Sequence, residues 1–319
     1  MRPRLLKFLS CPKCKSDFQL YSKEKGQREI IEGSLVCENC QAVYPIYRGI
    51  PRILDRENLS NEKRKIAMRF GVEWKLHKHI FELYEKQFLE WIYPFKPENF
   101  KDKVVLDAGC GKGRHLIQVQ KFGAKEVIGL DISDSVEIAY MNTKHLENVH
   151  IVQGDISSLP FKKCFHIVYS IGVIHHLPSP YEGFKSLTSV LFKRGILIIW
   201  IYAQEGNDWI IKYFEPLRKK ILSKIKPEIL YYMSFLPSIL VYLVSRMPVK
   251  VFYKDYLDYI SKFPFKEIQS IVYDQMNAPI THFLSRQELE KWINESKQRC
   301  IALRHHNKNS WTLILEKIS

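Results

Sequence analysis

The sequence predicts an α/β protein built on a doubly wound, mostly parallel sheet, with a small metal-stabilised unit in front of it. Three observations lead there. From residue 104 onward, short runs of branched apolar residues alternate with helix-length segments, the pattern of βαβ units. The first run, Val104–Ala108, delivers the chain to Gly109-Cys110-Gly111-Lys112-Gly113 just before a helical stretch. That is the form of a strand–turn–helix ligand loop, where glycines permit a tight turn and a close approach of backbone to ligand. Near the N-terminus, Cys11-Pro12-Lys13-Cys14 is answered by Cys37-Glu38-Asn39-Cys40, two knuckles with the spacing of a four-cysteine zinc site.

The chain has 319 residues, more than one typical domain. We expect a zinc-ribbon unit over 1–56, a helical connector over 57–100, and the sheet domain over 101–319 with a helical insertion at 209–277. A unit of ~50 residues buries too little apolar surface to fold without its metal. Four thiolates close a tetrahedron and leave no position for water, so Cys11, Cys14, Cys37 and Cys40 predict a structural zinc rather than a catalytic one. Two disulfides are the alternative, but no thioredoxin-like pattern surrounds the pairs. The other cysteines, Cys110, Cys164 and Cys300, are scattered, and a total of seven is odd. Free thiols beside a zinc site suit a reducing, cytoplasmic setting. The N-terminal apolar run is too short for a signal-peptide core.

The elements follow in order. Ser60–Tyr93 predicts helix, with Phe70, Trp74, Phe81, Tyr84, Phe88 and Trp91 near helical spacing and expected in the core. After the glycine loop, Glu126–Leu130 is a strand ending at Asp131. An acidic residue about 20 positions past such a loop is placed to accept hydrogen bonds from ribose hydroxyls. A strand over Val149–Gln153 leads to Gly154-Asp155-Ile156. Another over Phe165–Ser170 leads to Ile171-Gly172-Val173-Ile174-His175-His176-Leu177-Pro178, and a fifth spans Gly195–Tyr202. Ser285 and Glu288 make a capping box for the helix through Trp292. Cys300–His305 and Trp311–Leu315, separated by Asn307-Lys308-Asn309, predict a closing antiparallel hairpin.

The glycines are spaced G-x-G-x-G behind an acidic residue, Asp107, whereas dinucleotide loops use G-x-G-x-x-G. This arrangement resembles motif I of class I S-adenosylmethionine-dependent methyltransferases. The resemblance implies a Rossmann-like sheet closed by the hairpin, and S-adenosylmethionine as cofactor. It implies a binding set of Asp107, Gly109, Cys110, Gly111, Gly113, Asp131, Ile132, Asp155, Ile156 and Ile171. Asp131 would take both ribose hydroxyls; Asp155 would take the adenine amine while Ile156 packs the ring. The segment through His175-His176 is similar to one beside the transferred methyl group. Phe70-Gly71-Val72-Glu73-Trp74 is similar to one that helps cover the cofactor. Many relatives have a proline in the turn that here reads Lys193-Arg194-Gly195. The cysteine-rich unit and its Tyr44–Pro51 tail resemble small bacterial zinc-ribbon proteins and the zinc-ribbon partner that activates several eukaryotic tRNA and translation-factor methyltransferases.

Methyl transfer from a sulfonium is an in-line substitution, so the protein mainly orients and desolvates the reactants. An oxygen or nitrogen acceptor must also lose a proton, and His175, His176 and His282 are the candidate bases. His176 and His282 are favoured. The acceptor is expected to be a small molecule, a glycan or a lipid-linked compound, because the insertion is greasy. Ile229–Ser245 is seventeen residues without a charge and predicts two hydrophobic helices forming a lid over the site. Eleven Lys or Arg against four Asp or Glu over Ile211–Lys266 also suit a membrane surface, placing a cytoplasmic protein peripherally on the bilayer. The alternatives are a tRNA methyltransferase acting on modified wobble uridine, which the basic balance and the ribbon favour, and a non-catalytic cofactor-binding partner.

Overall fold

The computed structural model describes residues 1–22, 28–55, 57–248 and 254–318. The ribbon consists of β1 (Phe18–Tyr21), β2 (Gly33–Cys37), β3 (Val43–Tyr47) and β4 (Ile50–Ile53), paired antiparallel in sequence order. The expected boundary at 56 falls on a residue outside those described. The connector holds α1 (Asn61–Leu76) and α2 (Leu83–Ile92). Ser60 caps α1 by accepting the Lys63 N–H. One continuous helix was expected here; instead the chain breaks after Leu76. The buried ammonium of Lys112 takes the His77 carbonyl at 2.9 Å, satisfying the freed backbone oxygen at the break.

The main domain runs β5 (Val104–Ala108), α3 (Arg114–Lys121), β6 (Glu126–Asp131), α4 (Ser135–Thr143), β7 (Val149–Gly154), β8 (Phe165–Ile171), α5 (Pro180–Ser189) and β9 (Leu191–Tyr202). The insertion follows as α6 (Glu215–Lys220), α7 (Pro227–Met233), α8 (Phe235–Arg246), α9 (Lys254–Ile260) and α10 (Phe265–Asn277). The chain closes with α11 (Arg286–Ser296), β10 (Arg299–His306) and β11 (Ser310–Glu316). The capping box of Ser285 and Glu288 opens α11 as expected. The final hairpin also forms as expected, with Asn307 and Lys308 turning at positive φ.

The described strands form one sheet in the order β1-β2-β3-β4-β7-β6-β5-β8-β9-β11-β10. From β7 to β9 it is parallel, and every residue of β5 is buried, as a strand covered on both faces requires. β11 runs antiparallel between β9 and β10. The winding reverses between β5 and β8, so the loops after these strands flank a switch point, where such sheets bind ligands. The ribbon is not a detached bead. Its last strand joins the main sheet, β4 pairing parallel with β7 through Arg52 opposite Gln153 and Ile53 opposite Gly154.

α7 and α8 are two hydrophobic helices, as expected, bent by 40°. The break falls at Ser234 and not at Pro237. Pro237 lies in the first turn of α8, where the missing N–H has no intrahelical acceptor to lose. Among the described residues, no single helix is long and apolar enough to cross a membrane; this bent pair passes only on its combined length and composition.

Candidate active site

The loop after β5 is shaped by its glycines. Gly109, Gly111 and Gly113 all have positive φ (94°, 51° and 82°). A Cβ on Gly109 would lie 2.4 Å from a Val173 methyl, and one on Gly111 would lie 2.9 Å from the Trp74 indole nitrogen. The loop is tied to β6, since the N–H groups of Gly109 and Cys110 both donate to the Leu130 carbonyl. The Gly111 N–H donates to Asp131 Oδ2 at 2.9 Å. Asp131 Oδ1 accepts from the Ser133 N–H at 2.9 Å and its hydroxyl at 2.7 Å. Three donors therefore fix the Asp131 carboxylate at the tip of β6.

Asp155, at the end of β7, is held in the same way. Its Oδ1 accepts the Ser157 N–H at 2.8 Å, and its Oδ2 pairs with Lys63 Nζ at 2.6 Å. The ion pair ties α1 across the strand ends. Beside it, α1 contributes Phe70, Glu73 and Trp74 to a cavity of about 710 Å³, within the ~300–1,000 Å³ of ligand pockets. The same cavity is lined by Gly109, Cys110, Gly111, Asp131, Ile132, Asp155, Ile156, Ile171 and His176. Asp107 and Gly113 do not line it. Asp107 sits beneath the loop, where burial pushes its carboxyl up to about 8. Gly113 caps α3 in the left-handed conformation.

The three histidines occupy different positions. His176 lines the cavity, with its ring 5.1 Å from Phe70. Its Nδ1 lies 2.6 Å from the Ile280 carbonyl, so Nδ1 carries the proton and Nε2 is left as the acceptor. Burial pushes its pKa down to about 3, so the ring is neutral at physiological pH. His175 is fully buried behind it, 4.2 Å from the His176 ring and 4.4 Å from that of Tyr202, and does not line the cavity. His282 also lies outside the lining, and its backbone N–H donates to the His175 carbonyl.

After α10 the chain returns to the end of β9. The Leu284 N–H donates to the Tyr202 carbonyl, and Ala203 and Leu284 form a parallel bridge. This brings Asp274 to the Tyr202 hydroxyl at 3.3 Å. Asp274 and Glu73 both line the cavity. Burial first, and then the Asp274 carboxyl, raise the pKa of Glu73. Lys63, Glu73, Trp200 and Tyr202 were not singled out from sequence as site residues. Only Glu73 had a signal, its place inside Phe70–Trp74; the others are assembled by tertiary contact.

The four ribbon cysteines converge. All four sulfurs lie within 4.8 Å of one another, Cys11 and Cys40 at 3.5 Å and Cys14 and Cys37 at 3.3 Å, with all four thiols free. A tetrahedron of ~2.3 Å metal–sulfur bonds has sulfurs at comparable separations. The four cysteines are positioned to bind a structural zinc.

Comparison with known proteins agrees with both units. Residues 99–230 match the family model described as a methyltransferase domain, and residues 2–49 match that of Trm112p-like proteins. The chain carries a methyltransferase domain behind a Trm112p-like domain. Among curated relatives, a tRNA U34 carboxymethyltransferase of Pseudoalteromonas translucida is 36% identical over 114 residues, 35% of each chain. Its counterpart in Shewanella loihica is 30% identical over 159 residues, 46% of this chain and 48% of that one. The match thus spans between about a third and a half of these relatives. Among solved structures, the complex of the Haloferax volcanii Trm112 methyltransferase activator with a putative methyltransferase aligns with a TM-score of 0.49 at 11% identity, covering 81% of this chain and 98% of that one.

The methyltransferase domain brings one correction. The expected small-molecule, glycan or lipid-linked acceptor was inferred from the apolar insertion. The curated relatives are named for a tRNA substrate, which overturns that choice. Apolar side chains in the insertion build the cavity wall and helix packing, as Pro237 and Val241 do, and so do not define the acceptor.

Proposed function

We propose that this protein is an S-adenosylmethionine-dependent methyltransferase whose acceptor is a tRNA nucleoside at the wobble uridine. The observation that carries the transferase reading is one cavity wall joining the glycine loop, Asp131 and Asp155 to a neutral histidine. The tRNA reading is supported by the relatives' named substrate, by the Trm112p-like unit and by a net charge of +15, which suits a polyanion. These relatives also support a cytoplasmic location.

The residues fit the adenosyl cofactor. Val173 and Trp74 leave no room for side chains at Gly109 and Gly111, so the loop presents bare backbone to the cavity. Asp131 is a fixed acceptor that would take the ribose hydroxyls, and Asp155 and Ile156 would hold the adenine. When bound, the cofactor supplies a methyl group on a positively charged sulfur, an electrophile that needs no further activation. The chain's own residues do the rest. Phe70, Trp74 and Trp200 exclude water from the cavity, and His176 Nε2 accepts the proton of the acceptor group. His176 is the proposed base in preference to His175 and His282, because it alone of the three lines the cavity.

The test is transfer of label from methyl-labelled cofactor to bulk RNA taken from cells lacking this gene, followed by digestion to nucleosides. Label in a modified uridine of the tRNA fraction is expected. An RNA fraction that stays unlabelled would overturn the acceptor.

A further inference from the structure

The helices α7 and α8 are inside out for a water-exposed hairpin. Their buried positions include Ser234, Ser238 and Ser245, whose hydroxyls are satisfied within their own helical turns by the carbonyls of Tyr231, Ser234 and Tyr242. Leu230 is buried and Val241 lines the cavity, but six other large apolar side chains point the other way. Ile229, Tyr232, Leu236, Leu240, Leu243 and Met247 recur at intervals of three and four residues, so they form one stripe that continues through the bend at Ser234. All six are exposed, Tyr232 by 77%, Leu236 by 76% and Leu240 by 63%. Solvent-facing helices normally show the reverse arrangement, and a contiguous patch of this kind marks an interaction surface.

Charge identifies the partner. Exposed Lys220, Lys224 and Lys226 lie just ahead of the stripe, and none of them pairs with a carboxylate among the described residues. From Pro216 to Pro248 the only acidic residue is Glu228. We propose that α7–α8 is a docking surface for an anionic lipid bilayer. The helices would lie along the surface, with the stripe among the acyl chains and the lysines at the headgroups. Neither helix is long enough to span a bilayer. A second copy of the chain fits less well, because it would set one basic collar against another. An RNA fits less well, because aliphatic leucines offer its phosphates no donors. The proposal concerns where the protein sits and does not depend on the acceptor or on the cofactor.

The test is co-sedimentation of the full chain with sucrose-loaded vesicles of phosphatidylglycerol and phosphatidylcholine, and with phosphatidylcholine alone. Wild type is expected to sediment with the anionic vesicles and to be released by high salt. The Leu236→Glu/Leu240→Glu variant and the Lys220→Gln/Lys224→Gln/Lys226→Gln variant should each lose at least tenfold in binding. Circular dichroism and the thermal midpoint establish that both are folded, and Leu243→Glu is a milder second probe of the stripe. Wild type left in the supernatant with anionic vesicles would overturn the proposal. So would a wild-type dimer that Leu236→Glu/Leu240→Glu converts to monomer while vesicle binding is absent, which would assign the face to a second copy.

Discussion

Arg69 and Asn277 hold each other reciprocally. The Arg69 Nε donates to the Asn277 carbonyl at 2.7 Å, and the Asn277 Nδ2 donates to the Arg69 carbonyl at 3.1 Å. The same guanidinium donates to the carbonyls of Leu222, Ser223 and Ile225, and Asn277 Nδ2 also reaches Glu73 Oε2 at 3.0 Å. Both side chains are buried. One arginine thus binds α1 to the end of α10 and to the turn before α7, and fixes the wall from which Glu73 and Trp74 line the cavity. Arg69→Met leaves these buried carbonyls without donors. Unfolding by denaturant should show a loss of about 3 kcal/mol. A loss within the range of an ordinary surface substitution would contradict the role.

The histidines separate by position. His176→Asn should lower the rate of label transfer to tRNA by roughly 10²–10⁴-fold, the usual range for a general base, and leave cofactor affinity nearly unchanged. His282→Ala should cost far less, because that side chain does not line the cavity. Equal losses in the two variants would remove the assignment of the base to His176.

Asp107 gives a pH signature. Burial pushes its carboxyl from 3.8 up to about 8. Between those values the unfolded chain has released a proton that the folded chain keeps, so within this window rising pH favours unfolding. Asp107→Asn removes that titration. The thermal midpoint of the variant should gain on wild type as pH rises from about 4 to 8, and the gain should level off above that. A difference between the two proteins that is independent of pH would contradict it.

Zinc should be present at about one atom per chain by elemental analysis. Cys14→Ser should lose it and expose the ribbon to protease, because metal binding and folding are one equilibrium in so small a unit. Because β4 is part of the main sheet, the loss should also lower the midpoint of the whole protein. A metal-free Cys14→Ser protein with the wild-type midpoint would show that the ribbon folds without its ion.

The legible parts of the molecule are those whose chemistry is local in sequence. Gly109 to Gly113 lie within five residues, and Asp131 follows at a separation fixed by one helix and one strand. The cysteine knuckles are local in the same sense. Contacts made over long separations were not legible. The pairing of β4 with β7 joins Arg52 to Gln153, and Arg69 meets Asn277 across 208 residues. The insertion misled for another reason. Its apolar run predicts a lid over the site, and Pro237 and Val241 do line the cavity, yet hydrophobicity alone does not say that a second apolar face is left exposed. Ser234, Ser238 and Ser245 face the protein while Leu236, Leu240 and Leu243 face outward, and the acceptor inferred from the lid was wrong.

Occupation of the cavity by the cofactor is tested most directly by calorimetric titration of S-adenosylhomocysteine into wild type, Asp131→Ala and Gly111→Val. Wild type should bind with one site per chain. Asp131→Ala should lose the ribose contacts, and Gly111→Val should both strain the loop and displace Trp74, so each should weaken binding at least tenfold in a protein that remains folded. Wild-type affinity retained in both folded variants, or no binding by wild type, would contradict the placement of the cofactor.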